Sequence, residues 1–323
     1  MQIQYAYGGG RTKRTRRRQH GFLGLGIIIL VVAMVIGFVV LLSESKGDGS
    51  VVLTSNDIEK DLTTTSEPVE TEVRKLPPKL DFQELAEQWV KTASGRSSVY
   101  IYDLDYDMSI AAVNENTSYS TASLYKLFPV YEGYKRVYDG TWKATDTLVA
   151  GRTIGECLDA AIRSSDSTCG EALWNKINRY ELDKIIKDEW EITNSRISSL
   201  TSNPVDIAKM LKRYWFHPDF DSETLLTIMD SMLNQPPVNN GLCDGPCVWR
   251  QGLPAGLSGD NVLVYDKVGW EHSATSASWN LYHDAAFVVS GDHHLIVVVM
   301  TADINSFNEI ANFGTQLREA LQN

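Results

Sequence analysis

Ser120-Thr-Ala-Ser-Leu-Tyr-Lys-Leu-Phe-Pro-Val130 is the stretch on which the reading of this chain turns. Its apolar residues and those just beyond (Leu124, Leu127, Phe128, Val130, Tyr131, Tyr134) recur at helical spacing, which predicts a helix over Ser120–Tyr138. Ser123 then sits just inside the helix start, where the helix dipole stabilises developing negative charge. Lys126 follows three residues later on the same face. A lysine held beside a serine, among apolar groups and other cations, can lose its proton near neutral pH and act as a base. Alone the pattern says little. Ser43-Glu-Ser-Lys46 repeats it where no chemistry is expected, and a helix-start serine with a solvated lysine would look the same.

Two more pieces follow in order. Ser165-Asp166-Ser167 lies between helical segments at Leu158–Arg163 and Gly170–Ile177, and Ser and Asp there are also favoured helix caps. Lys267-Val268-Gly269 ends the strand-like run Val262-Leu-Val-Tyr265. A cation there attracts a carboxylate, and a glycine lets another backbone come close. Together the three pieces resemble the S-x-x-K, S-D-N and K-T-G motifs of the serine β-lactamases and penicillin-binding proteins. Val99-Tyr-Ile-Tyr-Asp-Leu-Asp105, Leu253-Pro-Ala-Gly-Leu257 and His283-Asp-Ala-Ala-Phe-Val-Val289 extend the resemblance, to class A β-lactamases, over residues 81–323.

That resemblance implies a serine acyl-transfer site needing neither cofactor nor metal. Ser123 would be the nucleophile, Lys126 its base, Ser165 the proton relay and Lys267 the cation. Asp166 would hold the loop. Backbone N–H groups of Ser123 and Trp270 would form the oxyanion hole, where each donor stabilises an intermediate by on the order of 3 kcal/mol. Ser167, Val268 and Gly269 would border the substrate, a β-lactam or a peptidoglycan-like peptide. His283 reads as a structural histidine.

The chain departs from the family's pattern in three places. No E-x-x-L-N glutamate precedes Thr201-Ser-Asn-Pro204, which begins 36 residues after Ser165; Glu189 and Glu191 are the nearest acids and read as solvated. Val268 stands where a hydroxyl residue is usual, and Ser167 where an asparagine is. No arginine lies between Lys267 and His293. These differences predict an acyl-enzyme that is slow to deacylate. The other reading is a binding or scaffold module of the cell envelope that keeps the fold without turnover.

The wider pattern predicts helices at Leu80–Ala93, Cys157–Ser164, Gly170–Asn178, Glu181–Lys187, Pro204–Trp215 and Asn305–Leu321. Strands are predicted at Ser98–Tyr102, Ser109–Asn114, Asn261–Lys267, Ala285–Val289 and Leu295–Thr301. This order suits an α/β (α+β) domain: a mostly antiparallel sheet built from both chain ends, flanked by helices, with a helical subdomain inserted between.

The first eighty residues read differently. Residues 1–20 carry six positive charges between Arg11 and Arg18, and no acid precedes Glu44. Residues 21–42 hold no charge; as a helix they would span roughly 33 Å against a bilayer core of about 30 Å. A signal peptide has a shorter apolar core and a small-residue cleavage site, so a retained single-pass anchor is expected. The basic flank places the N-terminus in the cytoplasm and the rest outside, and beside such a span it reads as a topology signal rather than a nucleic-acid arm. Residues 43–80 read as a disordered polar linker. Beyond the span 24 Lys and Arg face 41 Asp and Glu, a net −17, which argues against nucleic acid as a partner. All four cysteines lie there, and sequence proximity favours the disulfides Cys157–Cys169 and Cys243–Cys247 over zinc.

Overall fold

The computed structural model describes residues 82–235, 237–238, 247–248, 251–259, 261–272 and 280–322. The tail, apolar span and linker assigned to residues 1–80 lie outside these. Among the described residues no helix is long and apolar enough to cross a membrane.

The two expected disulfides part company here. Cys157–Cys169 is formed. The expected Cys243–Cys247 disulfide falls outside the described residues, because Cys243 is not among them. Cys247 instead enters the structure as a strand residue: Cys247–Val248 pairs antiparallel with Pro237–Val238, with Cys247 opposite Val238.

Five strands form one antiparallel sheet: β1 (Arg96–Asp103), β2 (Met108–Val113), β3 (Val262–His272), β4 (Asn280–Ser290) and β5 (His293–Ala302). Their order across the sheet is β2-β1-β5-β4-β3, so the two chain ends meet where β1 pairs with β5. β5 is central and reads Leu-Ile-Val-Val-Val-Met-Thr-Ala over 295–302, every residue buried. A strand covered on both faces has no solvated side to alternate with, which explains the unbroken apolar run.

Side chains alternate along each strand and divide the interior into two cores. Val297, Val299, Val264 and Val268 point back toward α1 (Phe82–Thr92), α8 (Leu253–Leu257) and α9 (Phe307–Gln322). Ile296, Val298, Ala285 and Phe287 point forward into the helical block. That block holds α2 (Leu127–Tyr138), α3 (Ile154–Arg163), α4 (Ser167–Ile177), α5 (Arg179–Asp188), α6 (Pro204–Phe216) and α7 (Ser222–Leu233). Local signals start several of these helices. Thr153 and Glu156 form a reciprocal capping box on α3. Asn203 caps α6, with Pro204 in its first turn.

The expected helix over Ser120–Tyr138 is broken in the structure. Tyr119–Ser120 pairs with Thr201–Ser202 as a short strand, Ala122–Lys126 is a 3-10 turn, and the α-helix begins at Leu127. Cross-strand pairing and a left-handed Ala122 (φ 43°) override the apolar periodicity at this end. The change matters chemically. A 3-10 turn has three residues per turn, so Ser123 and Lys126 stand one directly above the other.

Candidate active site

The nucleophile turn is pinned from three directions. Thr121 N–H donates to the Leu200 carbonyl at 2.8 Å, and β-pairing joins Ser120 to Thr201. His283 Nε2 lies 2.7 Å from the Ser120 carbonyl, while its Nδ1 accepts from Thr301 N–H at 3.0 Å. Those partners require a neutral ring with the proton on Nε2, and full burial lowers the imidazole pKa to about 4. His283 therefore acts as a structural clamp.

On that turn Lys126 Nζ stands 2.9 Å from Ser123 Oγ. It also reaches the Ser165 carbonyl at 2.6 Å, Ser167 Oγ at 3.2 Å and Ser165 Oγ at 3.4 Å. Lys267 Nζ completes the line, donating to Ser165 Oγ at 2.8 Å and to the Val268 carbonyl at 2.7 Å. Three sequence-distant pieces thus form one chain of polar atoms, Ser123–Lys126–Ser165–Lys267. Both lysines are inside, Lys126 at 0 % and Lys267 at 1 % exposure.

Residues 81–321 match the beta-lactamase enzyme family. The chain belongs to that family. Its fold is similar to that of an ancestral class A β-lactamase, GNCA, representing the last common ancestor of Gram-negative bacteria: TM-score 0.61 at 18% identity over 73% of this chain and 99% of that one. It is equally similar to PBP-A, at TM-score 0.61 and 19% identity over 77% and 99%. A β-lactamase from Xanthomonas campestris aligns at TM-score 0.62 and 15% identity over 74% and 96%. At such identities the likeness is one of fold. No curated protein sequence matches the chain.

In this β-lactamase-family site the chemistry is set by burial. Desolvation pulls Lys126 down to about 8, opposed by the charges of Asp166 and Glu171. A free base is therefore accessible near neutrality. Burial lowers Lys267 as well, and the nearby Lys126 adds to this, against Asp266 and Asp284. A proton on one lysine disfavours a proton on the other. Ser165 itself is held in the left-handed region (φ 53°), a backbone cost accepted where the loop is fixed from both sides.

That fixing comes from residues around the second motif. Asp166 accepts from Cys169 N–H at 2.8 Å, capping α4, and pairs with Arg152 at 2.7 Å. A disulfide joins Cys157 on α3 to Cys169 on α4, with Cα atoms 4.8 Å apart. The strap therefore closes directly behind Ser165. Gly170 follows, and a Cβ there would lie 2.8 Å from Lys126 Cε and 3.0 Å from its Cγ. Glycine at 170 makes room for the lysine stem, a requirement that no local sequence signal announces.

The third motif divides by strand alternation. Lys267 points to the cleft and Gly269 packs against the turn, where a Cβ would meet Leu124 Cγ and the Thr121 carbonyl, each at 2.9 Å. The Trp270 backbone follows one residue later. Val268 is placed otherwise than the sequence suggested: its side chain joins the back core at 2 % exposure, so only its backbone borders the cleft. Glu189 pairs with Lys135 at 3.2 Å on the surface, and Glu191 lines a separate groove with Lys209, Lys212 and Arg213. Neither belongs to the cleft residues.

Proposed function

We propose that this protein is a membrane-anchored, extracytoplasmic serine hydrolase that forms an acyl-enzyme on Ser123 with β-lactams or cell-wall peptides and deacylates it slowly. The observation that carries this reading is the unbroken polar chain from Ser123 through Lys126 and Ser165 to Lys267. Neutral Lys126 takes the Ser123 proton as Oγ attacks the carbonyl carbon. The Ser165 hydroxyl, oriented by Lys267, then delivers its proton to the departing nitrogen and takes in its place the proton held by Lys126. Backbone N–H groups at Ser123 and Trp270 would receive the oxyanion.

Slow deacylation is supported by the shortened segment before Thr201. The anchor and its orientation are supported by the uncharged stretch at 21–42 and the basic cluster before it. Incubating the full-length chain with a fluorescent penicillin tests the chemistry: covalent label is expected on Ser123 and lost in Ser123→Ala. No label at any concentration favours the binding-module reading. Protease treatment of intact cells tests the topology, since the domain beyond residue 42 is expected to be cut from outside.

A further inference from the structure

The polar chain supplies a base for acylation and none for the water that must later attack the ester. Helix α4 offers one. Ser167, Gly170, Glu171 and Trp174 fall at i, i+3, i+4 and i+7, a single stripe of that helix. The stripe faces the nucleophile turn. Ser167 Oγ lies 3.2 Å from Lys126 Nζ, Gly170 packs on the Lys126 stem, and the Trp174 ring stands 5.0 Å from that of Tyr125. Gly170 and Trp174 are its buried part, whereas Ser167 and Glu171 are exposed along its solvent edge.

The other acids nearby are committed elsewhere. Asp166 is held by Cys169 N–H and Arg152, and Glu189 by Lys135. Glu171 makes no hydrogen bond or ion pair among the described residues. Its charge acts on Lys126 and Tyr125 of the Ser123 turn, together with Asp166 at Lys126 and Arg179 of α5 at Tyr125. The Arg179 guanidinium lies 3.9 Å from the Trp174 ring centre. The charge on Glu171 is felt at the turn. It opposes the burial that lowers Lys126 and adds to the burial that raises Tyr125.

The geometry points to Glu171 as the general base of deacylation, its carboxylate holding and deprotonating the water that attacks the Ser123 ester. This rests on the acyl-serine reading above. As the water oxygen bonds to the acyl carbon, its proton passes to Glu171 and the carbonyl pair becomes the oxyanion. Collapse breaks the bond between that carbon and Ser123 Oγ. The proton on Glu171 passes through neutral Lys126 to Ser123 Oγ, and the carboxylic acid leaves. An exposed base supplies little preorganisation, which fits slow release.

The test follows acylation and release separately. The full-length chain is labelled with fluorescent penicillin, chased with unlabelled penicillin, and label loss is timed for the wild type, Glu171→Gln and Glu191→Gln. Glu171→Gln is expected to acylate within about threefold of wild type but to release label at least about a hundredfold more slowly, the low end for a lost general base. Glu191→Gln is expected to match the wild type. Labelling with equal release in wild type and Glu171→Gln overturns this inference alone, as does an equal slowing of acylation and release. Absence of label on the wild type overturns the acyl-serine reading and this inference with it.

Discussion

Behind the sheet, Trp89 and Phe313 meet with ring centres 5.0 Å apart, and nearly every neighbour is aliphatic or aromatic. In front of it, two lysines are buried as completely as those rings and donate to serine hydroxyls and main-chain carbonyls. One strand, β3, serves both: Val264 and Val268 look back while Lys267 looks forward. The contrast shows how stability and reactivity are separated in this domain. Apolar burial behind contributes free energy of folding. Burial in front costs free energy, because it strips water from ammonium groups, and that same cost makes a base of Lys126.

The separation is breakable by experiment. On the front face, Lys126→Met is expected to slow labelling by fluorescent penicillin by about 10²–10⁴-fold, the usual worth of a general base. Thermal stability should change little, because a desolvated charge and its hydrogen bonds are removed together. Comparable loss of stability would merge the two faces energetically. On the back face, Phe313→Ala is expected to cost about 3–5 kcal/mol in urea unfolding, while the acylation rate of the folded protein stays within about twofold. A large fall in that rate would show that the back core positions the cleft.

A smaller effect comes from pH. Burial lowers Lys126 from its ordinary 10.5 to about 8 in the folded state, so acylation is expected to rise through pH 8 and level off above it. At pH 7 the rate should be about tenfold below the plateau. The linkage has the matching sign. Between the two pKa values the unfolded chain holds more protons at this site, so stability contributed here rises with pH through that window and the full cost is present below it. A flat acylation profile would place the base elsewhere. The smallest effect tests strand alternation itself. Val268→Thr restores the hydroxyl that the family's motif usually carries, but the side chain faces the back core. A loss of about 1 kcal/mol of stability is expected with no gain in labelling. Improved labelling would turn residue 268 toward the cleft.

Sequence patterns with a short physical range were legible. The three motifs, the antiparallel plan from both chain ends and the Cys157–Cys169 disulfide all appear in the structure. Each rests on local chemistry: a strand's apolar run, a cap, cysteines twelve residues apart. The strand ends were less legible, since β3 runs on to His272 and β4 begins at Asn280. Their outer residues are polar and paired by the neighbouring strand rather than by any pattern of their own. Pairing of Cys247–Val248 with Pro237–Val238 was equally invisible, for two residues are too few to show a period. The break at Ser120–Lys126 was not visible either, because Leu124, Leu127 and Phe128 keep a helical period through a turn that is not yet an α-helix.

The sequence by itself determined which groups are present and in what order: a serine and a lysine three apart, a capped loop, a cation at a strand end, and an uncharged stretch of 22 residues at 21–42. Only the tertiary structure decided what they do to one another. Lys126 is buried, and its pKa lowered, because tertiary packing encloses it, with Gly170, 44 residues on, leaving room for its stem. Ser165 meets a buried cation because Lys267, 102 residues on, reaches its hydroxyl. Val268 turns away from the cleft because its neighbour turns toward it. Glu171 shares a stripe with Ser167 because one turn of α4 separates them. Desolvation and hydrogen bonding depend on distance in space, and the chain's order does not encode that distance until the sheet and helices have closed around it.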